Sequence, residues 1–309
     1  MPDIITITLN PAIDKNYTVE RLAPEHKLRC PNPRIDPGGG GINVAKALKE
    51  LGTDALALFF SGGRNGAYLQ DLLHELSLNI HPIAIDGETR ESVVIVDKAS
   101  GKEYRIVVEG PEISLASLDE VIRQLESNKP SYIVASGSIP KGLPEDAFAR
   151  IAVAAKELNA RFIADTSGAP LKHAVDAGVF LLKPNLRELS ALVGVESLQL
   201  NDVDDAAMDL IKKGKCEVVV VSLSSSGAML VNGDGYHHIP APTVERKSTV
   251  GAGDSMVAGM VWSLMQGKSY LDMAMMGVAC GTAATMSPGT QLFRKADAEK
   301  LLQWITGRK

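Results

Sequence analysis

The chain alternates short runs of β-branched and aliphatic residues with longer segments of helical periodicity. The runs that follow residue 60 are continuously apolar, which is typical of strands covered on both faces. Strands are predicted at residues 4–9, 55–60, 132–135, 161–164, 179–182 and 217–221, and helices at 42–51, 66–76, 115–125, 144–158, 186–193 and 204–213. This alternation predicts right-handed βαβ units, and hence an α/β fold with a mostly parallel sheet and helices on both faces.

Two stretches interrupt the alternation. Residues 16–34 are polar, contain three prolines and show no strong helical period. Residues 91–108 hold two β-rich runs joined by a turn at 98–101, which is a hairpin signal. We predict that two inserts, approximately 14–34 and 88–108, build a small β-sheet that stands off the main sheet. Because such a sheet with one bare face is only marginally stable, we expect it to cover a site, pair with another subunit, or do both.

Charge and cysteine content narrow the function classes. The formal net charge is −5, so the chain lacks the basic footprint of a protein that binds nucleic acid or an anionic membrane surface. A phosphorylated ligand would therefore be held by local arginine, lysine and backbone donors. The three cysteines, Cys30, Cys216 and Cys280, have no metal-type spacing, which favours a reducing cytoplasm over a disulfide scaffold.

The sequence predicts neither an export signal nor a membrane span. Residues 1–9 lack the basic start and the long apolar stretch of a signal peptide. The uncharged run at residues 273–293 contains glycine and proline, so it predicts a buried helix followed by a turn. We therefore expect a single cytoplasmic domain over residues 1–309.

The sharpest local motif is the octapeptide STVGAGDS at residues 248–255, which precedes an apolar helical run. Gly251 and Gly253 leave backbone N–H groups uncovered at a helix N-terminus, where the helix dipole favours anions. Such a turn can hold the charge that develops on a transferring phosphoryl group. Asp254 would lie in the first turn, placed to take a proton from a hydroxyl that attacks the same phosphorus. An alternative role for Asp254 is to cap a core helix.

A second motif, PGGGGINVA at residues 37–45, leads into the first predicted helix. Four successive glycines are costly to order and leave room for a ligand to approach the main chain. A polyhydroxyl ligand would find backbone donors and the Asn43 amide there. A flexible linker is the weaker alternative, because the run enters an amphipathic helix directly. No Gly-Lys-Ser or Gly-Lys-Thr follows and a proline-rich segment precedes the run, so it matches neither a P-loop nor a dinucleotide fingerprint.

Together the two motifs resemble those of the ribokinase-like carbohydrate kinases, the phosphofructokinase B family. Residues 40–45, with Gly52 and Gly62 downstream, match the first family pattern, and residues 248–261 match the second. The resemblance covers nearly the whole chain. It implies a three-layer α/β/α core and a small β-sheet lid that closes over the sugar.

The resemblance implies an ATP-dependent kinase that uses Mg²⁺. Asp254 matches the family's catalytic base, and Gly251, Ala252 and Gly253 would supply the anion hole. Residues 183–188 resemble the family's Asn-x-x-Glu motif, which places Asn185 and Glu188 near the Mg²⁺ and the ATP phosphates. A solvated helix start would explain the same pair equally well.

The nucleotide loop of the family is matched by residues 222–227, where Ser224 stands in place of the usual first glycine. Asp165 matches the acidic residue of an Asp-x-Ser-Gly segment, and its alternative role is to cap the turn with Ser167 and Gly168. The implied nucleotide contacts are Lys183, Asn185, Ser222, Ser224, Gly227, Ser248 and Val250, and the implied metal ligands are Glu188 and Asp165.

Sugar binding is implied by further matches. Asp14 follows the first predicted strand, and a carboxylate suits sugar diols because it accepts from two adjacent donors. The implied sugar contacts are Asp14, Gly39, Gly40 and Asn43, and Ser138 is a further implied substrate contact. The cations beside or on the two inserts, Lys27, Arg29, Arg90 and Arg105, would hold the substrate's own phosphate. Any one of these cations alone could equally be a solvated surface charge.

Within the family, residues 27–30 and 103–105 most resemble the bacterial subgroup that phosphorylates the 1-hydroxyl of fructose 6-phosphate to give fructose 1,6-bisphosphate. Arg90 and Arg105 would then hold the 6-phosphate. Tagatose 6-phosphate kinase and 1-phosphofructokinase activities remain alternatives. A non-catalytic sugar-phosphate sensor is the alternative from another class, although a sensor would not need Asp254. A dinucleotide-dependent oxidoreductase would require a fingerprint that the chain lacks.

The resemblance also implies partners. A homodimer would form through the β-lid, and the other partners would be small molecules, a sugar phosphate and ATP, without nucleic acid or membrane. Many family members bind a monovalent cation near the anion hole. The matching residues 285–291 carry Ser287 and Gln291 where the nearest subgroup has asparagine and arginine, so a potassium requirement stays open.

Overall fold

The computed structural model describes residues 2–307 of the chain and contains two β-sheets. The strands are β1 (Ile4–Thr8), β2 (Ala12–Val19), β3 (Arg34–Gly38), β4 (Leu56–Ser61), β5 (Asn79–Ala84), β6 (Arg90–Asp97), β7 (Lys102–Val107), β8 (Tyr132–Ser136), β9 (Arg161–Asp165), β10 (Val179–Leu182), β11 (Cys216–Ser222), β12 (Ala228–Asn232) and β13 (Gly235–Ile239). The helices are α1 (Gly40–Glu50), α2 (Gly63–Glu75), α3 (Leu115–Asn128), α4 (Ala147–Glu157), α5 (Gly168–Ala177), α6 (Leu186–Val193), α7 (Val203–Lys212), α8 (Ala252–Met265), α9 (Tyr270–Thr285) and α10 (Lys295–Thr306).

The large sheet has the strand order β13-β12-β11-β10-β9-β8-β1-β4-β5. Its strands are parallel, except that β12 runs antiparallel to both of its neighbours. From β1 the chain continues to β4 on one side and later to β8 on the other. The order therefore reverses between β1 and β8, and open α/β sheets bind ligands outside the carboxyl ends of the strands at such a point.

Helices cover both faces of this sheet. Ile4 lies in a core with α1, α8 and α9, whereas Ile5 and Ile7 lie in a second core with α3, α4 and α5. The opposite directions follow from the two-residue period of a strand. Helices α8 and α9 are apolar on nearly every side, which is expected of helices packed between a sheet and other helices. The predicted three-layer α/β/α architecture is confirmed.

The predicted strands and helices are all present. Not predicted were α5, α10, the edge strand β5 and the hairpin of β12 and β13. Strand β5 contains Pro82, which lacks a backbone N–H, and proline is tolerated on an edge strand. The run at residues 273–293 forms most of α9 and the turn that follows it, as predicted. Within residues 2–307, no helix is long and apolar enough to cross a bilayer.

The predicted small sheet is present and has four strands in the order β3-β2-β6-β7. The register pairs Asp14 of β2 with Asp36 of β3 and with Ser92 of β6, and it pairs Val94 with Arg105 of β7. Asp14 and Arg105 therefore lie on the same face of the small sheet. Every residue of β7 is exposed to solvent.

The glycine run begins α1 directly against the large sheet. A β-carbon at Gly41 would collide with the backbone of Ile7, and one at Gly40 would collide with Ser136. At Gly38 the collision would be with the carboxylate of Asp14, and Gly39 has a φ of 124°. Close packing of the chain against itself is therefore one reason for these glycines, beside the predicted approach of a ligand. Strand β3 of the small sheet includes Pro37 and Gly38 of this motif and leads directly into α1.

Candidate active site

A cleft of about 650 Å³ opens at the carboxyl ends of β8 and β9. Predicted site residues from five separate segments line it, namely Gly40, Ser138, Asp165, Glu188 and Asp254. A slightly larger cleft, of about 690 Å³, lies between β3, α1, α2 and residues 287–294, and its lining contains none of the predicted site residues. We place the chemistry in the smaller cleft because the predicted catalytic and metal-binding carboxylates, Asp254, Asp165 and Glu188, all line it.

Asp254 lies in the first turn of α8, which begins after Gly251 with a φ of 72°. Its Oδ2 accepts a hydrogen bond from Asn43 Nδ2 of α1 at 3.0 Å, and its Oδ1 accepts one from Ser136 Oγ of β8 at 3.0 Å. Asp254 therefore joins three elements, and the alternative that it merely caps α8 is not what the structure shows. The carboxylate is oriented by two donors from outside its own helix.

The surroundings of Asp254 raise the pKa of its carboxyl to about 6. Burial is the largest cause and the negative charge of Asp165 adds to it, whereas the hydrogen bonds from Asn43 and Ser136 and the charge of Lys183 oppose the rise. A carboxylate with such a pKa is ionised at neutral pH and is a better proton acceptor than an ordinary aspartate.

Lys183 follows β10 and is buried, with its Nζ 3.2 Å from Asp165 Oδ1. Burial alone would lower the pKa of Lys183, but the charges of Asp165, Glu188 and Asp254 outweigh burial and hold the pKa above its usual value. Lys183 is therefore a permanent cation. A β-carbon at Gly253 would lie 3.5 Å from Lys183 Nζ, so the glycine brings the lysine close to the start of α8. Lysine and helix N-terminus together favour an anion there.

Asn185 and Glu188 form a capping box at the start of α6. Asn185 Oδ1 accepts from the Glu188 backbone N–H at 2.9 Å, and Glu188 Oε2 accepts from the Asn185 backbone N–H at 2.9 Å. The helix-start alternative is thus part of their role. Glu188 also lines the cleft with Asp165, so it faces the same space as the catalytic candidates.

The loop after β11 explains why glycine is usual at the position of Ser224. Ser224 has a φ of 54°, in the left-handed region that favours glycine. Gly227 has a φ of 92°, and a β-carbon there would collide with the Ile239 carbonyl. Ser222 ends β11 and bridges to Asn185, which brings these two predicted nucleotide contacts together.

Ser248 lies just ahead of α8 and is buried. Its hydroxyl accepts from the Val250 backbone N–H at 3.2 Å, and its own N–H donates to the Thr285 carbonyl at 3.3 Å. These bonds shape the loop that leads into the helix N-terminus. Ser248 and Val250 thus contribute at least a structural role beside the anion site.

Asp14 of β2 has a pKa raised to about 6, mainly because it is buried; the nearby cations Lys46, Arg90 and Arg105 oppose the rise and the charge of Asp36 adds to it. Lys46 of α1 was not predicted as a site residue. Its Nζ donates to the Pro37 carbonyl at 3.3 Å and to Asn43 Oδ1 at 3.5 Å. Because Lys46 only donates and the Asp254 carboxylate only accepts, the Asn43 amide between them has one favourable orientation.

The four predicted phosphate-binding cations do not all lie near Asp14. Arg90 lies at the start of β6 and donates to the Asn10 carbonyl from Nε at 3.3 Å and from Nη2 at 3.1 Å. Arg105 is exposed on β7 and pairs with Glu103 at 3.1 Å. Lys27 and Arg29 lie exposed on the loop between β2 and β3 and do not line the cleft. Within one chain, therefore, two of the four cations approach Asp14.

Sequence reasoning assigned no role to Ser136, Asn10 and Lys46, which contact predicted site residues. Ser136 donates to Asp254, and Asn10 Nδ2 donates to Ser138 Oγ at 3.0 Å. A signal for two of them was available, because Asn10 and Ser136 lie at the carboxyl ends of predicted strands. Lys46 carried no such signal.

An all-protein metal cage is absent from residues 2–307, since no group of three or more His, Cys, Asp or Glu side chains is arranged to hold an ion. Mg²⁺, however, usually keeps several waters and binds through one or two carboxylates together with substrate phosphates. Asp165 and Glu188 supply two carboxylates on the wall of one cleft. The residues present fit that manner of binding.

A proton acceptor beside a helix N-terminus that favours anions is the arrangement that a phosphotransferase with an alcohol acceptor requires. The family model described as pfkB family carbohydrate kinase matches residues 4–297. The protein belongs to the pfkB family of carbohydrate kinases.

Three relatives show how similar this chain is to known proteins. ATP-dependent 6-phosphofructokinase isozyme 2 of Mycobacterium tuberculosis is 40% identical over 98% of this chain and 89% of its own length. Phosphofructokinase-2 of Escherichia coli, solved in complex with potassium, superposes with a TM-score of 0.94 at 37% identity, over 99% of this chain and 100% of that one. The 1-phosphofructokinase of Bacillus subtilis is 33% identical over 94% of this chain and 95% of its own length.

Proposed function

We propose that this protein transfers the γ-phosphoryl group of ATP to the 1-hydroxyl of fructose 6-phosphate, giving ADP and fructose 1,6-bisphosphate. The observation that carries the proposal is Asp254, a carboxylate with a pKa of about 6 at the mouth of a glycine-rich helix N-terminus. The relatives from M. tuberculosis and E. coli align with nearly the whole chain, and both are named 6-phosphofructokinases.

The positions of the side chains support the following chemical step. Asp254 takes the proton of the 1-hydroxyl as its oxygen attacks the γ-phosphorus, and the bond from that phosphorus to the bridging oxygen of ADP breaks. The N–H groups of Gly251, Ala252 and Gly253 and the Lys183 ammonium stabilise the charge on the transferring group. Asn43 and Ser136 hold the carboxylate in place throughout.

The sugar phosphate would lie between the cleft and the small sheet, which serves as a lid. Asp14, Gly39, Gly40 and Asn43 would contact the sugar hydroxyls, with Ser138 as a further contact. Arg90 and Arg105, whose charges act on Asp14 together with that of Lys46, would hold the 6-phosphate. A phosphofructokinase-2 of E. coli has been solved in complex with fructose-6-phosphate, at a TM-score of 0.93 and 36% identity to this chain.

ATP and Mg²⁺ are the proposed cofactors. Lys183, Asn185, Ser222, Ser224, Gly227, Ser248 and Val250 would contact the nucleotide. Asp165 and Glu188 would hold Mg²⁺, through water, and the ion would supply positive charge to the ATP phosphates. Potassium is a further proposed cofactor, since the E. coli relative has been solved with it.

We also propose a homodimer formed through the small sheet. The exposed apolar residues Tyr104 and Ile106 on β7 support it, because a bare apolar sheet edge is usually covered. A relative, the E. coli phosphofructokinase-2, has also been solved as a tetrameric inhibited form. Lys27 and Arg29 lie on the same small-sheet region and would reach a sugar phosphate in such an assembly. A kinase of this kind with three free thiols favours the cytoplasm as its location.

A second candidate function is phosphorylation of fructose 1-phosphate, supported by the 33% identical 1-phosphofructokinase of B. subtilis; tagatose 6-phosphate is a third possible acceptor. Steady-state kcat/KM for these three sugar phosphates decides between them. We expect fructose 6-phosphate to give the highest value. A higher value for fructose 1-phosphate contradicts the proposal.

A non-catalytic sensor is distinguished by the Asp254→Asn variant. We expect this variant to lose at least about a hundredfold in kcat, since general-base catalysis contributes on the order of 10²–10⁴ in rate. Calorimetry checks that the variant still binds sugar phosphate. Equal ATP consumption by both proteins would remove Asp254 from the mechanism.

A further inference from the structure

Asn10 directly follows the central strand region, at the point where the strand order reverses. Its side-chain Nδ2 donates to Ser138 Oγ at 3.0 Å, and its backbone carbonyl accepts from Arg90 Nε and Nη2 at 3.3 and 3.1 Å. One residue thus contacts two proposed contacts of the sugar phosphate, Ser138 and Arg90. The proposed mechanism assigns no role to Asn10 itself.

The hydrogen bond from the Asn10 side chain determines the direction in which the Ser138 hydroxyl can donate its proton. An amide nitrogen only donates, so Ser138 Oγ must accept from it, and the single hydroxyl proton of Ser138 points in another direction. Ser138 lines the cleft. Its hydroxyl is therefore available there as a donor, which suits the acceptor oxygens of a phosphate group.

The contact between Asn10 and Gly110 agrees with this orientation of the amide. A β-carbon at Gly110 would collide with Asn10 Oδ1, so this oxygen lies against the glycine Cα. A carbonyl oxygen makes a favourable contact with Cα–H. The nitrogen consequently faces Ser138.

Arg90 is held rigidly by the same neighbourhood. Besides the two bonds to Asn10, its Nη1 donates to the Val108 carbonyl at 3.3 Å and to Ser92 Oγ at 3.4 Å. The four bonds use four of the five guanidinium N–H groups. The plane of the guanidinium is thereby fixed relative to Ser138, with Asn10 between the two.

We propose that Asn10 is a positioning residue for the phosphate group of the sugar phosphate. Its amide makes Ser138 a hydrogen-bond donor toward that group, while its carbonyl anchors Arg90 beside it. This inference rests on the proposed function, because it takes Ser138 and Arg90 as contacts of the sugar phosphate. It adds a residue that selects for an anionic end on the acceptor sugar.

The test compares Asn10→Ala and Asn10→Asp, neither of which removes the backbone anchor of Arg90. We expect Asn10→Ala to raise KM for fructose 6-phosphate about tenfold, the scale of one hydrogen bond to a charged group, with kcat and KM for ATP within about twofold. Asn10→Asp should raise KM further, because its carboxylate would accept the Ser138 proton and repel the phosphate. Asn128→Ala, which removes an amide bonded to Gln124 within α3, is the control.

A second comparison separates positioning from general damage. In a Ser138→Ala background, Asn10→Ala should change KM by less than about twofold, since contacting residues are not additive. The inference is overturned if both Asn10 variants match wild type, or if the full increase reappears without the Ser138 hydroxyl. Wild-type turnover of the three sugar phosphates tests the proposed function separately. The variants are compared on the best acceptor, with calorimetric Kd for that sugar phosphate as a second readout.

Discussion

At Asp254, opposing effects meet on one carboxyl group. Burial and the charge of Asp165 favour the protonated form, whereas hydrogen bonds from Asn43 and Ser136 favour the ionised form. The balance leaves a base that is ionised at neutral pH but retains affinity for a proton. The two donors thus do more than aim the carboxylate, because each of them also sets how strongly it accepts the substrate proton.

We predict that kcat falls as pH drops below about 6, because a protonated Asp254 cannot accept the substrate proton. Ser136→Ala removes a donor that stabilises the ionised form, so the pKa of Asp254 rises and the acid limb of the kcat profile moves to higher pH. Ser117→Ala, which removes a surface hydroxyl of α3 paired with Ser114, should leave the profile unchanged. An acid limb that stays in place or moves to lower pH in Ser136→Ala contradicts this account.

At the scale of elements, the start of α1 determines whether the site can assemble. The motif STVGAGDS identified the start of α8 from sequence because its glycines and acid are contiguous. The partners of Asp254 could not be found in the same way, since Asn43 and Ser136 are 211 and 118 residues away along the chain. Their contacts depend on how closely α1 approaches β1 and β8. The glycine run was therefore noticed, but its role in packing was not predictable from local pattern.

We predict that Gly40→Ala impairs catalysis strongly, although it adds only one methyl group. The new methyl group would collide with Ser136, the donor to Asp254, so either α1 or Ser136 must shift. We expect kcat to fall at least about tenfold, because small misplacements at a site are costly, and the free energy of unfolding to fall by about 1–3 kcal/mol. Kinetics and denaturant unfolding measure the two effects.

The matched control is Gly233→Ala. Gly233 lies between β12 and β13, and a β-carbon there has open space around it. Its variant should keep wild-type kcat and stability within about 0.5 kcal/mol. A Gly40→Ala protein as active as the Gly233→Ala protein would show that the close approach of α1 is not needed.

At the scale of the whole molecule, the large sheet was predictable and the assembly of the small sheet was only partly so. Continuous apolar runs predicted most of the parallel strands, because a strand that is buried on both faces consists almost entirely of apolar residues. Strand β2 mixes apolar and charged residues, such as Asp14 and Lys15, because it faces the site on one side. Lys27 and Arg29 show the remaining limit: a single chain leaves them in solvent, and their proposed role needs a second copy.

The last prediction concerns that second copy. Ile106 lies on β7 with 54% of its surface exposed, on the face opposite Arg105, so Ile106→Asp should disrupt a dimer formed by the small sheets without adding charge to the sugar-facing side. Burying the carboxylate in an interface would cost several kcal/mol, so the variant should sediment as a monomer at concentrations where wild type is a dimer. Val153→Asp, at a 50% exposed position on α4, should sediment like wild type. If Ile106→Asp also sediments like wild type, the small sheet is not the interface.

The same variant tests whether the partner subunit contributes to the site. If the Ile106→Asp variant is a monomer, and its KM for fructose 6-phosphate rises while its KM for ATP does not, the partner contributes to the sugar-phosphate site, as the exposed positions of Lys27 and Arg29 suggest.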